Sequence, residues 1–354
     1  MYRLYFKLLP MLLLLLACSR PDGDDSLQKG VASGSLVIRV EAPEQPAGKA
    51  AVPGESAIGH WAWWIFNQKG RAVKCGSGGA LSEKVTLLSG RYTLVVVANA
   101  PLSGSWALPV QAGGTLESLS SRISDLSSNR PDALLMYGSE SVEIEDGREN
   151  DIRVYVRRLV SKLGIRQVKV QYDNPSLQER TTLLTGIYLT NICRRTALGA
   201  DFTPGQLSAD LSLWYNAMGW HRLPDQATDP AIDALVGKRD IGHVLTAETP
   251  FTTPVYLYAY PNPSPLSADS RGIDGWCIRS TRLVVETQVD GRSFYYALTV
   301  PPMARNCPYM AESVTLRDLG SSDPEAVIPG SFEVEFSSES EKGWDAEYLV
   351  NEES

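Results

Sequence analysis

The sequence predicts an all-β protein made of two tandem β-sandwich domains with few short helices. Short runs of alternating apolar and polar residues, bounded by Gly, Pro, Ser, Asn or Asp, recur along the chain, and such alternation is typical of strands. Sustained helical periodicity is scarce, and many brief strands with few helices favour sandwiches over a barrel or an α/β fold. The 336 residues after Cys18, in a chain of 354, fit two domains of ordinary size.

The first domain is predicted over residues 35–158. Its first strand places Leu36, Ile38 and Val40 on one face and Val37, Arg39 and Glu41 on the other. The second strand is apolar on both faces, as expected of a central sandwich strand. A short helix is predicted over Leu116–Leu126. The predicted strands are Gly34–Ala42, Ile58–Asn67, Tyr92–Asn99, Ser141–Ile144 and Asp151–Val156.

The second domain is predicted over residues 159–354, with the domain junction near Arg157–Lys162. A short helix is expected over Ala231–Val244. Near the end of the chain, apolar residues alternate with acidic ones, first over Phe332–Phe336 and then over Trp344–Val350. The other predicted strands are Leu163–Gln171, Leu183–Thr190, Val255–Tyr260, Thr281–Val289, Phe294–Val300 and Ser313–Leu316.

The N-terminus has the pattern of a lipoprotein signal peptide over residues 1–18. Arg3 and Lys7 precede the apolar run Leu8–Ala17, which is too short to span a bilayer as a helix. The run ends in a sequence that resembles the bacterial lipobox, so Cys18 is the expected site of acylation, with anchoring through palmitate or similar chains. Residues 19–34 are polar and predicted to be a tether. Their acidic residues resemble the surface-export signal of Bacteroidetes lipoproteins, which predicts the outer face of the cell outer membrane.

Charge and cysteine content exclude some classes of partner and site. The net charge of −8 becomes −10 once Arg3 and Lys7 leave with the signal, and an acidic chain without a basic cluster argues against nucleic acid. The remaining cysteines could form up to two disulfides in three pairings, or stay as thiols. None has metal-ligand spacing, and no cofactor is expected. These cysteines are Cys75, Cys193, Cys277 and Cys307.

The sequence does not predict an enzyme. A hydrolase would need His60, His221 or His243 beside a Ser or Asp, and no G-x-S-x-G elbow, HExxH motif or phosphate-binding loop accompanies them. An alternative is a surface glycan-binding lipoprotein in which aromatic residues of the segment 61–64 stack on sugars. Core packing of a central strand explains the same tryptophans, and exposure of their rings would separate the two hypotheses.

Several segments, in order, resemble the fimbrillins (type V pilins) of Bacteroidales. The lipobox and tether are followed by an alternating strand and then by a basic residue in a small-residue loop, Gly48–Val52. The later segments are Arg91–Asn99, Leu134–Gly138, Arg157–Lys162, Arg305–Tyr309 and Gly320–Glu325. Each motif is loose alone, and their order over most of the chain carries the resemblance.

The resemblance implies two transthyretin-like sandwiches and assembly by donor-strand exchange. A trypsin-like protease would cut after the first strand, at Lys49 here, where the best-known members have arginine; Arg39 and Arg71 are alternatives. The displaced strand would carry Leu36, Ile38 and Val40. The donor strand would come from another fimbrial subunit of the same or a different kind, and the fibre would bind a host or bacterial surface ligand. Its apolar residues would be Phe332, Val334, Phe336, Trp344 and Tyr348.

Overall fold

The computed structural model describes residues 32–43, 52, 54–103, 113–199, 214–215, 234–262, 280–300, 302–323, 326–336 and 344. Cys18, Lys49, His221, Cys277 and Tyr348 lie outside the described residues. Strands dominate these ranges. The α-helices are α1 (Leu116–Ser120) and α2 (Pro175–Gln178), and a 3-10 turn (Leu126–Ser128) and a helical turn at residues 234–236 are also described. No helix in the described part of the chain has the length and apolar character needed to cross a bilayer.

The N-terminal half forms two facing sheets. Its strands are β1 (Ser33–Glu41), β2 (Trp61–Asn67), β3 (Ala72–Gly78), β4 (Ser82–Leu88), β5 (Gly90–Ala98), β6 (Ile123–Asp125), β7 (Met136–Ile144), β8 (Glu149–Tyr155) and β9 (Arg157–Arg158). One sheet has the order β4-β1-β8 and the other β3-β2-β5-β7-β9. The period-2 alternation turns one face of each strand toward the opposite sheet, which creates a shared apolar core.

The described part of the C-terminal half forms two larger sheets and a small one in which β13 pairs with β15. Its strands are β10 (Ser161–Ile165), β11 (Val168–Val170), β12 (Thr182–Thr190), β13 (Ile192–Cys193), β14 (Arg195–Ala197), β15 (Trp214–Tyr215), β16 (Gly237–Leu245), β17 (Val255–Ala259), β18 (Arg282–Val289), β19 (Arg292–Thr299), β20 (Pro308–Leu316) and β21 (Phe332–Phe336). One sheet has the order β11-β20-β10-β17, with β21 added to β20, and the other β16-β12-β18-β19.

The two halves are joined by packing and by a buried polar cluster. A continuous set of buried residues runs from the outer face of β2 and β5 into the C-terminal sheets, while β6 pairs with β14 across the junction. Asp125 lies fully buried there and accepts hydrogen bonds from Arg194 Nε (2.6 Å), Ser127 Oγ (2.8 Å) and Tyr215 OH (2.9 Å). Burial raises the pKa of Asp125, but these hydrogen bonds lower it by more, so the net shift is downward.

Three predicted elements differ in the structure. Of the helix predicted over Ala231–Val244, residues 234–236 are helical and residues 231–233 lie outside the described residues. The prediction is wrong over β16, which pairs with β12. Asp240 and Gly242 take positive φ at a register shift between these strands, which a right-handed helix does not allow. The helix predicted over Leu116–Leu126 ends at Ser120 and gives way to β6. The run Leu163–Gln171 is divided into β10 and β11, which pair with different stretches of β20.

Candidate functional site

The first strand is an interior strand of its sheet. β1 pairs antiparallel with β4, from Ser33↔Leu88 to Arg39↔Ser82. On its other side it pairs parallel with β8, from Ser35↔Glu149 to Glu41↔Tyr155. Both edges of β1 are therefore engaged over nearly its whole length.

The side chains of β1 divide sharply between the two faces of the sheet. Leu36 and Ile38 are 0% exposed and Val40 is 3% exposed, and all three belong to the core cluster between the two N-terminal sheets. On the outer face, Arg39 Nε lies 2.8 Å from the Asp151 carboxylate, which belongs to β8. This alternation is the one expected from the sequence.

The geometry of β1 defines what its loss would leave behind. Removal of residues 33–41 would uncover the facing edges of β4 and β8 and three adjoining apolar positions in the core. A replacement would need an extended backbone and large apolar side chains at every second residue. We call this position the β1 slot.

The last described strand, β21, has the required alternation, but it pairs with fewer strands than β1 does and its apolar side chains are less buried. Among the described strands, β21 pairs only with β20, from Ala311↔Phe336 to Leu316↔Phe332. Phe332 and Val334 are half-buried and Phe336 is 37% exposed, whereas Glu333 and Glu335 face solvent. Phe332 makes an edge-to-face contact with Tyr296, at 6.0 Å between ring centroids.

Trp344 lies apart from β21, in a bend, and is buried at the junction of the two halves. Its indole Nε1 donates a hydrogen bond of 3.0 Å to Glu55 Oε1, and its ring stacks on Tyr258 at 6.3 Å between centroids. Sequence reasoning missed Glu55 and Tyr258 as partners of the tail. It did single out the segment Arg157–Lys162, which contributes Arg158 and Lys162 to the same cluster.

The histidines described here do not form a catalytic arrangement. His60 Nε2 lies 2.5 Å from the Ala100 carbonyl oxygen. His243 Nε2 lies 3.3 Å from the Thr249 carbonyl oxygen, and its ring packs edge-on against Phe251. Each imidazole therefore contacts a backbone carbonyl rather than a nucleophile or a carboxylate. The described residues also contain no group of three or more His, Cys, Asp or Glu that could hold a metal ion.

The tryptophans of β2 are core residues. Trp61, Trp63 and Trp64 are at most 3% exposed. The indole of Trp61 donates to the Ala80 carbonyl oxygen at 2.7 Å, and that of Trp63 donates to Glu83 Oε2 at 2.7 Å. Protein covers these rings on both faces of the sheet. This strand therefore has no exposed aromatic surface on which a sugar could stack, as the glycan-binding hypothesis requires.

The described cysteines are buried thiols. Cys75, Cys193 and Cys307 are at most 7% exposed, and no disulfide joins them. Burial raises the pKa of the Cys193 thiol to about 12. A thiol in this state is a packing residue rather than a nucleophile.

Comparison with known proteins places this fold among adhesion and fimbrial proteins. Protein-family models and curated protein sequences give no match. A candidate cell adhesion protein from Bacteroides eggerthii DSM 20697 matches with a TM-score of 0.60 and 17% identity over 87% of this chain and 95% of its own. A fimbrilin (FimA) from Porphyromonas gingivalis W83 matches with a TM-score of 0.55 and 14% identity over 86% and 96%.

A candidate cell adhesion protein from Parabacteroides distasonis ATCC 8503 matches with a TM-score of 0.54 and 14% identity over 86% of this chain and 98% of its own. The all-β sandwich fold and the resemblance to fimbrillins are thus confirmed at the level of fold. The proteins that this chain resembles are adhesion and fimbrial proteins rather than enzymes.

Proposed function

We propose that this protein is a structural subunit of a cell-surface fimbria that polymerises by donor-strand exchange. In this proposal, it is exported as a lipoprotein acylated at Cys18, reaches the outer membrane, and loses β1 to a protease. Another subunit then fills the slot, and the fibre supports adhesion. The fimbrilin-like fold supports the general role, and one observation carries the mechanism: at the start of the described chain, β1 is an interior strand whose inward-facing side chains are buried in the core.

The two strands differ in the stability that each position offers. An occupant of the β1 slot forms two backbone ladders and buries three apolar side chains, which contributes roughly 5–9 kcal/mol before ordering costs. In its own subunit β21 forms one ladder, with β20, and leaves its apolar side chains half-exposed. Transfer of β21 into a neighbouring β1 slot would therefore increase both its backbone pairing and the burial of its apolar side chains, and this difference would favour the polymer.

The structure also supports Lys49 over the two alternative processing positions. Arg39 lies within β1, where its backbone is held between β4 and β8. A cut at Arg71 would fall between β2 and β3 and would release β2 together with β1, although β2 is an interior strand that carries the core tryptophans. Lys49 follows β1 and precedes β2, so cleavage there would release β1 alone. Proteases cut most readily in such connecting segments.

The test is controlled cleavage of purified, lipid-free precursor with trypsin. We expect a new N-terminus at residue 50, followed by SDS-resistant ladders on gels. Lys49→Gln should abolish both the cut and the ladders, whereas Arg71→Gln, a matched loss of one positive charge, should change neither. Deletion of residues 331–354 should preserve the cut and abolish the ladders. Ladders formed without cleavage, or no ladders from cleaved wild-type protein, would refute strand exchange for this chain.

A further inference from the structure

The seat of Trp344 is built to receive an indole. The ring edge donates its N–H to Glu55, one face stacks on Tyr258 with an interplanar angle of 24°, and the guanidinium carbon of Arg158 lies 4.2 Å from the ring centroid. Lys162 Nζ lies 5.6 Å from the same centroid. An indole combines a hydrogen-bond donor at its edge with the most strongly cation-attracting face of the aromatic side chains, and both are engaged here.

The residues of the seat also contact one another in a buried network of hydrogen bonds and an ion pair. The Glu55 carboxylate accepts from Tyr258 OH at 2.8 Å and pairs with Lys162 Nζ at 3.2 Å. Arg158 Nε donates to the Glu55 carbonyl oxygen at 2.9 Å, and Arg158 NH1 donates to Asn306 Oδ1 at 3.0 Å. All of these side chains are buried. Charged groups out of water persist only with such partners, so the seat is a preorganised feature of the fold.

The seat brings together distant parts of the chain. Glu55 lies in the turn that follows the proposed processing loop, Arg158 and Lys162 lie at the junction of the two halves, and Tyr258 lies on β17. Trp344 is the one described residue within the C-terminal tail, which we define as residues 337–354. Through Trp344, this part of the tail contacts the junction of its own subunit.

We propose that Trp344 is a latch that keeps the C-terminal tail on its own subunit. The latch is a property of the single, unprocessed chain, whereas its purpose, to restrain the tail until a neighbouring slot is open, rests on the proposed function. Opening the latch exposes a large apolar ring and leaves Glu55 without one hydrogen bond. Tail release thus has a free-energy cost that is set by residues outside β1 and its neighbouring strands β4 and β8.

Amide hydrogen exchange of the full-length, unprocessed protein tests the latch. The readout is the exchange rate of tail peptides containing residue 344, compared with peptides from β5 and β18 in the two cores. We expect Trp344→Phe, which keeps an aromatic ring but loses the donor, to speed tail exchange about tenfold, the equivalent of roughly 1.4 kcal/mol. Trp344→Ala, which removes the ring as well as the donor, should speed tail exchange further than Trp344→Phe does. Leu102→Ala removes an apolar side chain that is 80% exposed and should change neither set of peptides.

The latch proposal fails if tail peptides exchange equally fast in wild type and in Trp344→Ala. It also fails if core peptides accelerate together with the tail, because Trp344 would then be an ordinary core residue that supports the whole fold. A wild-type protein that shows the latch but never forms ladders after cleavage would refute the proposed function and leave the latch standing, since exchange is measured before processing.

Discussion

Truncation of Ile38 in the middle of β1 separates the stability of the precursor from that of the fibre. Ile38 is 0% exposed and pairs with Glu83 on one side and Ile152 on the other. Because ladders hold both edges of β1, the surrounding backbone cannot easily collapse into the space that Ile38→Ala leaves. We therefore expect the upper part of the usual range for such truncations, about 3–5 kcal/mol lost from the free energy of unfolding of the N-terminal sandwich.

The assay is urea unfolding of the unprocessed protein, followed by tryptophan fluorescence, since Trp61 and Trp63 belong to the same core. With a denaturant slope of about 2 kcal/mol per molar, the midpoint should fall by roughly 1.5–2.5 M. Val37→Ala is the matched control: Val37 is half-buried on the opposite face of the same strand, and its truncation should cost about 1 kcal/mol or less.

The decisive comparison is between precursor and fibre. If β1 leaves during maturation, fibres from the Ile38→Ala precursor contain the same polypeptide as wild-type fibres. Their resistance to SDS and heat should then be unchanged, although the precursor is much less stable. Fibres that weaken in parallel with the precursor would show that β1 remains in the mature subunit, and the reasoning from the β1 slot would be refuted.

Three further predictions concern other parts of the fold. Because the folded-state pKa of Asp125 is lowered, its contribution to stability is present above the unfolded-state pKa of about 3.9 and is lost as pH falls through the folded-state value; Asp125→Asn should lower the free energy of unfolding at pH 7 by about 1.5–3 kcal/mol and flatten its dependence on acid pH, measured by urea titrations at several pH values. Cys193, whose pKa burial raises to about 12, should resist iodoacetamide at pH 8 in native protein and react fully in urea, as read by peptide mass spectrometry, and rapid native labelling would contradict its burial. Oligosaccharides should leave the tryptophan fluorescence unchanged because the rings of β2 are buried, whereas a saturable shift would revive the glycan-binding hypothesis.

Most of the strands that were predicted correctly were recognised from local alternation of apolar and polar residues. The face of β1 with Leu36, Ile38 and Val40 was predictable because a period of two and three large aliphatic residues coincide. β3 was missed because its sequence contains two glycines, a serine and a lysine, and β4 was missed because it begins with three polar residues and has only Val85 and Leu87 buried. β3 is held mainly by its pairing with β2. β16 was assigned to the wrong class because pairing with β12 overrides its local pattern.

Local sequence patterns could not predict that β1 is an interior strand or that Trp344 has a buried seat. Alternation shows which face of β1 is buried, but only the register with β4 and β8 shows that the strand is interior. The seat depends on groups that lie more than 100 residues apart in the chain, such as Glu55 and Lys162. Their basic and acidic character gave no sign of burial, because such residues are usually solvated.

The mixed pairing of β1 bears on the polarity of any strand that replaces it. β1 runs antiparallel to β4 and parallel to β8, so β4 and β8 run in opposite directions. A strand that enters in either direction would run parallel to one of these neighbours and antiparallel to the other, and it would form one ladder of each type. Hydrogen bonding therefore does not choose the direction of entry. The direction of the inserted strand is therefore determined by how well its side chains fit the three apolar positions, and not by backbone hydrogen bonding.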